Sequence, residues 1–173
     1  TSGGSLVMIG NTIVDNFATS YGGGINWYPL GDYQSQSAII ENNIILSNTS
    51  ENSTGNNDIS IRNDNDNDYL TNPVTLNNNN FDQSADGIYI QRPFVIDASN
   101  LNNIDPLFVD AANGDYRLSS NSPLIDQGVV TDNTASTDID GNARIVGSSV
   151  DIGAYEYFNP IITGTTGNDT ITI

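Results

Sequence analysis

Three stretches of the sequence repeat one pattern, and this repetition constrains the fold more than any other feature. They are MIGNTIVDN from Met8, IIENNIILSN from Ile39 and LNNNNFDQ from Leu76. With Ile13, Ile44 and Phe81 in register, Asn11, Asn42 and Asn79 align two residues earlier, and the intervals are 31 residues (13 to 44) and 37 (44 to 81). A second apolar segment led by Gly or Asp follows each: GGGINW from Gly22, NDISI from Asn57 and ADGIYI from Ala85. A unit of strand, Asn-rich bend, strand and Gly turn cannot bury its apolar side alone, but stacking one unit on the next does so. Short strands then pair with the units above and below at about 4.8 Å. Inward positions become columns of Ile, Leu, Val and Phe, and aligned Asn amides hydrogen-bond as a ladder. The pattern predicts an all-β, right-handed parallel β-helix of about three coils, with Asn11, Asn42 and Asn79 as rungs. Between the units, Tyr28–Gln36, Thr49–Asn56 and Arg62–Thr71 read as surface loops.

Composition supports a folded β protein and narrows its chemistry. Ile, Leu, Val and Phe make up 44 of the 173 residues, above the roughly 20% below which a highly charged chain stays disordered. β-branched Ile (21) far outnumbers Leu (9), which favours strands over helices. Four Arg, no Lys, no His and no Cys stand against 21 acidic residues, a net charge of -17. With no basic run to displace counterions from phosphates, nucleic acid is excluded as a partner. Zinc sites, thiol nucleophiles and imidazole chemistry need residues that the chain lacks. Its 18 Asp, 3 Glu and 26 Asn supply oxygen ligands suited to hard cations, Ca²⁺ first. No stretch approaches the ~20 apolar residues of a membrane span, so membrane insertion is not expected. The sequence opens on Thr1-Ser-Gly-Gly without a start Met, and a C-terminal piece of a longer protein is the expectation.

Residues 1–97 resemble the coils of pectin-lyase-like parallel β-helix proteins, a bacterial superfamily of polysaccharide-active enzymes, adhesins and surface proteins. Residues 98–158 hold NIDPLFVDAANGDYRLSSNSPLIDQG from Asn103 and TDIDGNARIVGSSVDIGAYEY from Thr137. Together these resemble the choice-of-anchor Q region that follows β-helix coils in secreted bacterial proteins. From the residues themselves, Phe108–Asp110 is a strand, Asn113-Gly114 a tight turn and Tyr116–Leu118 the return strand. Asp140-Gly141 is a second turn, leading to an alternating strand from Val150. Such hairpins are expected to close the open end of the helix as a cap. Residues 159–173 combine an Asn159-Pro160 linker with GTTGNDTIT from Gly164. This segment is similar to one repeat-in-toxin nonapeptide, G-G-x-G-x-D-x-U-x, with Thr165 in place of the second Gly. The resemblance implies a calcium-binding tail in which Gly167 and Asp169 hold half a site, and type I secretion.

Asp64, Asp66 and Asp68 alternate as at the start of an EF-hand loop, but Tyr69 and Thr75 stand where its Gly and Glu belong. A non-EF calcium loop competes there with a solvated acidic loop. Asp138, Asp140 and Asn142 read as a turn whose carboxylates accept backbone N–H groups or pair with Arg144. Tyr21, Trp27, Tyr28 and Tyr33 cluster around the first insertion. Aromatic rings stack on sugars, so these are candidate carbohydrate contacts, with packing of the loop against the barrel as the competing reading. No catalytic residue is assigned: lyases of this fold use Lys, Arg or His near calcium, and the sequence sets no separation between paired carboxylates. Arg62 and Arg92 lie near coil turns and could touch a sugar acid. The resulting expectation is a secreted bacterial surface or extracellular protein, non-catalytic in this piece, contacting polysaccharide or cells and carrying a calcium-dependent tail. The alternatives are part of a polysaccharide lyase, hydrolase or epimerase with its catalytic coils upstream, and a purely structural stalk or matrix protein.

Overall fold

A computed structural model describes residues 5–28, 37–51, 58–62, 74–90 and 94–159. The first circuit of the chain runs through β1 (Leu6–Ile9), β2 (Thr12–Val14), β3 (Phe17–Ala18) and β4 (Ile25–Trp27). The second repeats it with β5 (Ala38–Glu41), β6 (Ile44–Leu46), β7 (Thr49–Ser50) and β8 (Ile59–Ile61). A third comprises β9 (Val74–Asn77), β10 (Asn80–Phe81) and β11 (Ile88–Ile90), and a fourth begins with β12 (Phe94–Ile96) and β13 (Leu101–Asn102). Equivalent strands pair in parallel, so the sheets run β1-β5-β9-β12, β2-β6-β10-β13, β3-β7 and β4-β8-β11. The expected all-β class with mainly parallel sheets is what the chain forms, and β13 extends the second sheet past residue 98.

Register follows burial. Ala38, Ile40, Ile45, Ile59, Ile61, Val74, Leu76 and Phe81 point inward and are almost completely buried. Each of the Ile, Leu, Val and Phe side chains among them contributes about 1.5–3 kcal/mol of hydrophobic stabilisation. The aligned residues are Ile13, Ile45 and Phe81, which moves the second segment by one residue from the expected alignment. Its rung is therefore Asn43, and not Asn42. The physical reason lies at the corner between the first two sheets. There Gly10, Asn42 and Asn78 adopt φ of 63, 57 and 50°, a left-handed turn that Gly and Asn tolerate best. The next residue, Asn11, Asn43 or Asn79, then points inward as the rung.

The ladder is continuous. Asn11 Nδ2 donates to Asn43 Oδ1 (2.8 Å), Asn43 Nδ2 to Asn79 Oδ1 (2.9 Å) and Asn79 Nδ2 to Asn100 Oδ1 (2.9 Å). Each rung oxygen also accepts the backbone N–H of the rung before it. Asn43, Asn79 and Asn100 donate once more, to the carbonyls of Met8, Ile40 and Leu76. Five residues on, Asp15 and Ser47 (φ 55 and 59°) repeat the corner, and Asn16 Nδ2 donates to Asn48 Oδ1 (2.9 Å). Asn48 in turn donates both N–H and Nδ2 to Asp58 Oδ1. This explains why Gly or Asp leads the segment before the third sheet. A Cβ on Gly24 would lie 2.8 Å from the Asn48 amide, and Asp58 in the next circuit ends the ladder.

The C-terminal region forms the expected hairpin, β14 (Phe108–Asp110) against β15 (Asp115–Leu118), joined by a 3-10 turn at Ala111–Asn113 and Gly114 at φ 82°. The second turn is also present at Asp138–Asn142, with Gly141 at φ 85°. The segment from Val150 departs from expectation. It is irregular, because Asp151 and Glu156 side chains take up the local N–H groups of Tyr157, Val146 and Asp151 that a strand would use. The region's position differs too. Leu118, Leu124 and Ile152 pack on Ile44 and Leu46, the outward residues of β6, and build a second apolar core along the side of the stack. Asn42 exchanges hydrogen bonds with the Val129 backbone (2.8 and 2.9 Å), Asn78 donates to Gln127 O, and Ala154 N–H donates to Thr12 Oγ1 (3.0 Å). The layer thus runs along the left-handed corners from the third circuit back to the first, where an end cap was expected.

Candidate functional site

On the third sheet, Asn26, Ser60 and Tyr89 occupy one cross-strand row on the side away from Ile25, Ile59 and Ile88, which face the core, and within that row Ser60 is fully covered. Arg62 leaves β8 immediately beyond this row. Its guanidinium lies over the Tyr21 ring, 5.7 Å from the Tyr89 ring centroid, and its Nε donates to Ser60 Oγ (3.2 Å). Tyr21 reaches the row because Gly22, at φ 61°, lets the chain pass close over Ser60; a Cβ there would meet Ile25 O at 2.2 Å. Among the described residues Arg62 makes no ion pair, whereas Arg117 pairs with Asp115 and Arg144 with Glu156. Tyr89 is 37% exposed. A cation beside two rings, with the exposed Asn26 amide in the same row, offers stacking faces and hydrogen bonds on one patch.

Of the four aromatic residues expected to contact carbohydrate, Tyr21 joins this patch. Trp27 packs against the core at the level of Ile61, Tyr28 is exposed just beyond β4, and Tyr33 lies outside the described residues. Tyr89, Asn26 and Ser60 were not expected there. The aligned Gly- and Asp-led segments would have found them, since the three follow an Ile at the same place in each. The expected calcium residues Asp64, Asp66, Asp68, Gly167 and Asp169, together with Arg92, lie outside the described residues.

Two acidic groupings complete the picture. Asp58, Asp82 and Asp86 line a cleft of about 160 Å³ with Ser47, Asn48, Gly87 and Asn103. Burial pushes the Asp58 carboxyl above its ordinary value, yet both its oxygens already accept hydrogen bonds, from Asn48 and from the Asp82 N–H. In the C-terminal layer, buried Arg144 donates to Glu156 (3.3 Å) and to the carbonyls of Asp151 and Gly153. Asp138 accepts from the Asn142 and Glu156 N–H groups, as expected of a turn, but Arg144 pairs with Glu156 and not with that turn. Burial drives Glu156 up to about 7, against its hydrogen bonds with Asp151 and Val146 and the nearby guanidinium. Among the described residues no group of three or more acidic side chains is arranged to hold a metal ion.

Fold and site define a protein of stacked parallel strands held by Asn ladders, with an irregular layer along one side and an aromatic–arginine patch on the third sheet. The chain belongs to the disaggregatase-related family, whose model matches residues 2–142 and so spans the stack and most of the lateral layer. Searches of curated proteins and of solved structures found no match.

Proposed function

We propose that the stack is a right-handed parallel β-helix and that the chain is a non-catalytic extracellular or surface module of a secreted bacterial protein, which contacts glycans through Tyr21, Arg62 and Tyr89. The observation that carries this reading is the two-ring, one-cation patch beside Asn26 and Ser60. Rings supply apolar faces for sugar C–H groups, while the Asn26 amide and the Arg62 guanidinium match sugar oxygens. The family description speaks of disaggregation, and a surface that grips polymer chains from the side suits that task. In this reading residues 98–158 are a choice-of-anchor Q region, and 159–173 begin a repeat-in-toxin tail. Ca²⁺ is then taken by Asp64, Asp66 and Asp68 and by Gly167 and Asp169.

The test is a glycan panel probed with the wild type and with Tyr89→Ala and Arg62→Ala. Each variant should weaken binding at least tenfold, equivalent to about 1.4 kcal/mol, with an unchanged melting temperature. Failure of the wild type to bind any glycan would overturn the reading. The Asp58–Asp82–Asp86 cleft favours a second reading, a polysaccharide hydrolase. Turnover by the wild type that Asp82→Asn abolishes would establish it.

A further inference from the structure

We infer that the hairpin and turns of the C-terminal layer form a second ligand site, a cavity that takes one neutral sugar ring. The cavity measures about 470 Å³, within the roughly 300–1,000 Å³ of small-molecule pockets. Side-chain alternation in the hairpin builds one wall. Phe108 and Leu118 pack into the lateral core, so Val109 and Arg117, their neighbours along β14 and β15, face the other way and line the cavity. The Asp138–Asn142 turn supplies Asp140 and Asn142, and Tyr157 and Phe158 complete the lining. Tyr157 is held in place by its N–H, which donates to Asp151 Oδ2. All these walls lie within residues 109–158, a stretch described without a break.

The polar groups left over on its rim fix the chemistry of the ligand. Two of the five N–H groups of Arg117 go to Asp115, Nε to Oδ1 (2.8 Å) and a terminal nitrogen to Oδ2, so the others remain for a ligand. The Asn142 amide nitrogen donates to Asp138 Oδ2 (3.2 Å), which leaves its oxygen as an acceptor. Among the described residues the Asp140 carboxylate accepts no hydrogen bond and makes no ion pair. Glu156 also lines the cavity but is almost fully buried, and its oxygens are taken by Arg144 and by the Val146 and Asp151 N–H groups.

Charge and surface then select among ligands. Arg117 is paired with Asp115 and Arg144 with Glu156, so Asp140 leaves the cavity negative, in a chain whose net charge is -17. A phosphate or carboxylate is repelled. A cation gains Asp140 but meets the Arg117 guanidinium at the same rim. A hydroxyl group both donates and accepts, so neighbouring hydroxyls of one sugar ring match Arg117 as donor and Asp140 and Asn142 as acceptors. Val109 and Phe158, 54% and 58% exposed, offer apolar surface beside Tyr157 to the C–H face of that ring. This site shares no residue with the third-sheet patch and stands without the glycan reading of that patch.

The probes are the methyl glycosides of glucose, galactose, mannose and N-acetylglucosamine, with glucuronate and choline as charged controls. Titrated into the isotope-labelled full chain, at least one neutral glycoside should bind saturably and shift the amide resonances of Val109, Arg117, Asp140, Asn142, Tyr157 and Phe158. Both controls should leave them in place. Asp140→Ala and Phe158→Ala remove exposed side chains, so each should keep the wild-type spectrum elsewhere and bind at least tenfold more weakly. Tyr89→Ala should bind as the wild type does. The inference is overturned if no neutral glycoside shifts these resonances, if glucuronate or choline shifts them as strongly, or if either cavity variant binds like the wild type. Loss of binding in Tyr89→Ala would move the site to the third sheet and overturn it too.

Discussion

At the scale of single residues, most of the described polar side chains that can be followed serve the backbone. Asp82, Asp97 and Asp105 each accept the N–H two residues on, from Ser84, Ser99 and Leu107. Asp126 accepts from Ser148 and Ser149. These are turn-forming contacts of short carboxylates, a use that needs no metal and no partner. The rung Asn residues do the same work in the interior, where a lost partner costs most. Replacing Asn79 by Leu strands the Asn43 N–H and one of its amide hydrogens on one side and takes the Asn79 amide from the Ile40 carbonyl, while the Asn100 oxygen keeps only the backbone N–H of residue 79. At about 1–3 kcal/mol for each buried unsatisfied group, Asn79→Leu should destabilise the chain by roughly 3 kcal/mol or more. Asn11→Leu, at the half-exposed end, should cost about 1 kcal/mol. Urea unfolding of both variants checks the ratio, and equal losses would show that the ladder does not carry the interior.

At the scale of elements, the outward residues of β6 sit between two cores. Ile44 and Leu46 belong to the lateral core, while Ile45 between them belongs to the stack. Leu124 is fully buried in the lateral core, so Leu124→Ala should cost about 3 kcal/mol and should loosen the C-terminal layer before the strands. Hydrogen exchange would show protection falling at residues 124–154 while Ile40 and Leu76 stay protected. Much of this was legible in the sequence. The strands of the first three circuits could be read because β-branched runs alternate with Asn- and Gly-led corners. The one-residue slip in the second segment arose because ENNII presents two Asn and two Ile in succession, so local pattern fits either register. What settles it is Asn42 bonding to Val129, 87 residues away. The lateral placement of the last region was hidden for the same reason, since Ile44 and Leu46 read as ordinary strand residues. The patch was half legible: Tyr21 stood out as an aromatic, while Tyr89 lay in a different repeat and is joined to it only through Arg62.

At the scale of the whole molecule, acidity couples to stability through the buried carboxyls. Glu156 titrates near 7 in the fold against 4.5 as its ordinary value, so the folded state binds its proton more tightly. Its contribution is fully present below about 4.5 and is lost as pH rises through 7. Asp151 and Asp58 are raised in the same direction by burial. Asp138 opposes them: burial pushes it upward, but hydrogen bonds from Glu156 and Asn142 hold it below its ordinary value. Its contribution is lost as pH falls below the usual carboxylate range. Stability should therefore peak within the ordinary carboxylate range, at about pH 4, and decline as pH rises through 7, the melting temperature falling by about 5 °C for each 2 kcal/mol. Glu156→Gln should flatten the decline between pH 5 and 7; an unchanged slope would remove Glu156 as its source.

The hydrogen bond from Ala154 to Thr12 spans 142 residues and joins the C-terminal layer to the first described circuit. Circuits form from neighbours in sequence and can assemble one after another as the chain emerges, but this closing contact has to wait for the residues up to Ala154. Non-local closure is the slow part of folding. During synthesis or passage through a narrow exit, the stack can thus grow while its side remains uncovered. The side of the stack is sealed by a region made after all the circuits it covers.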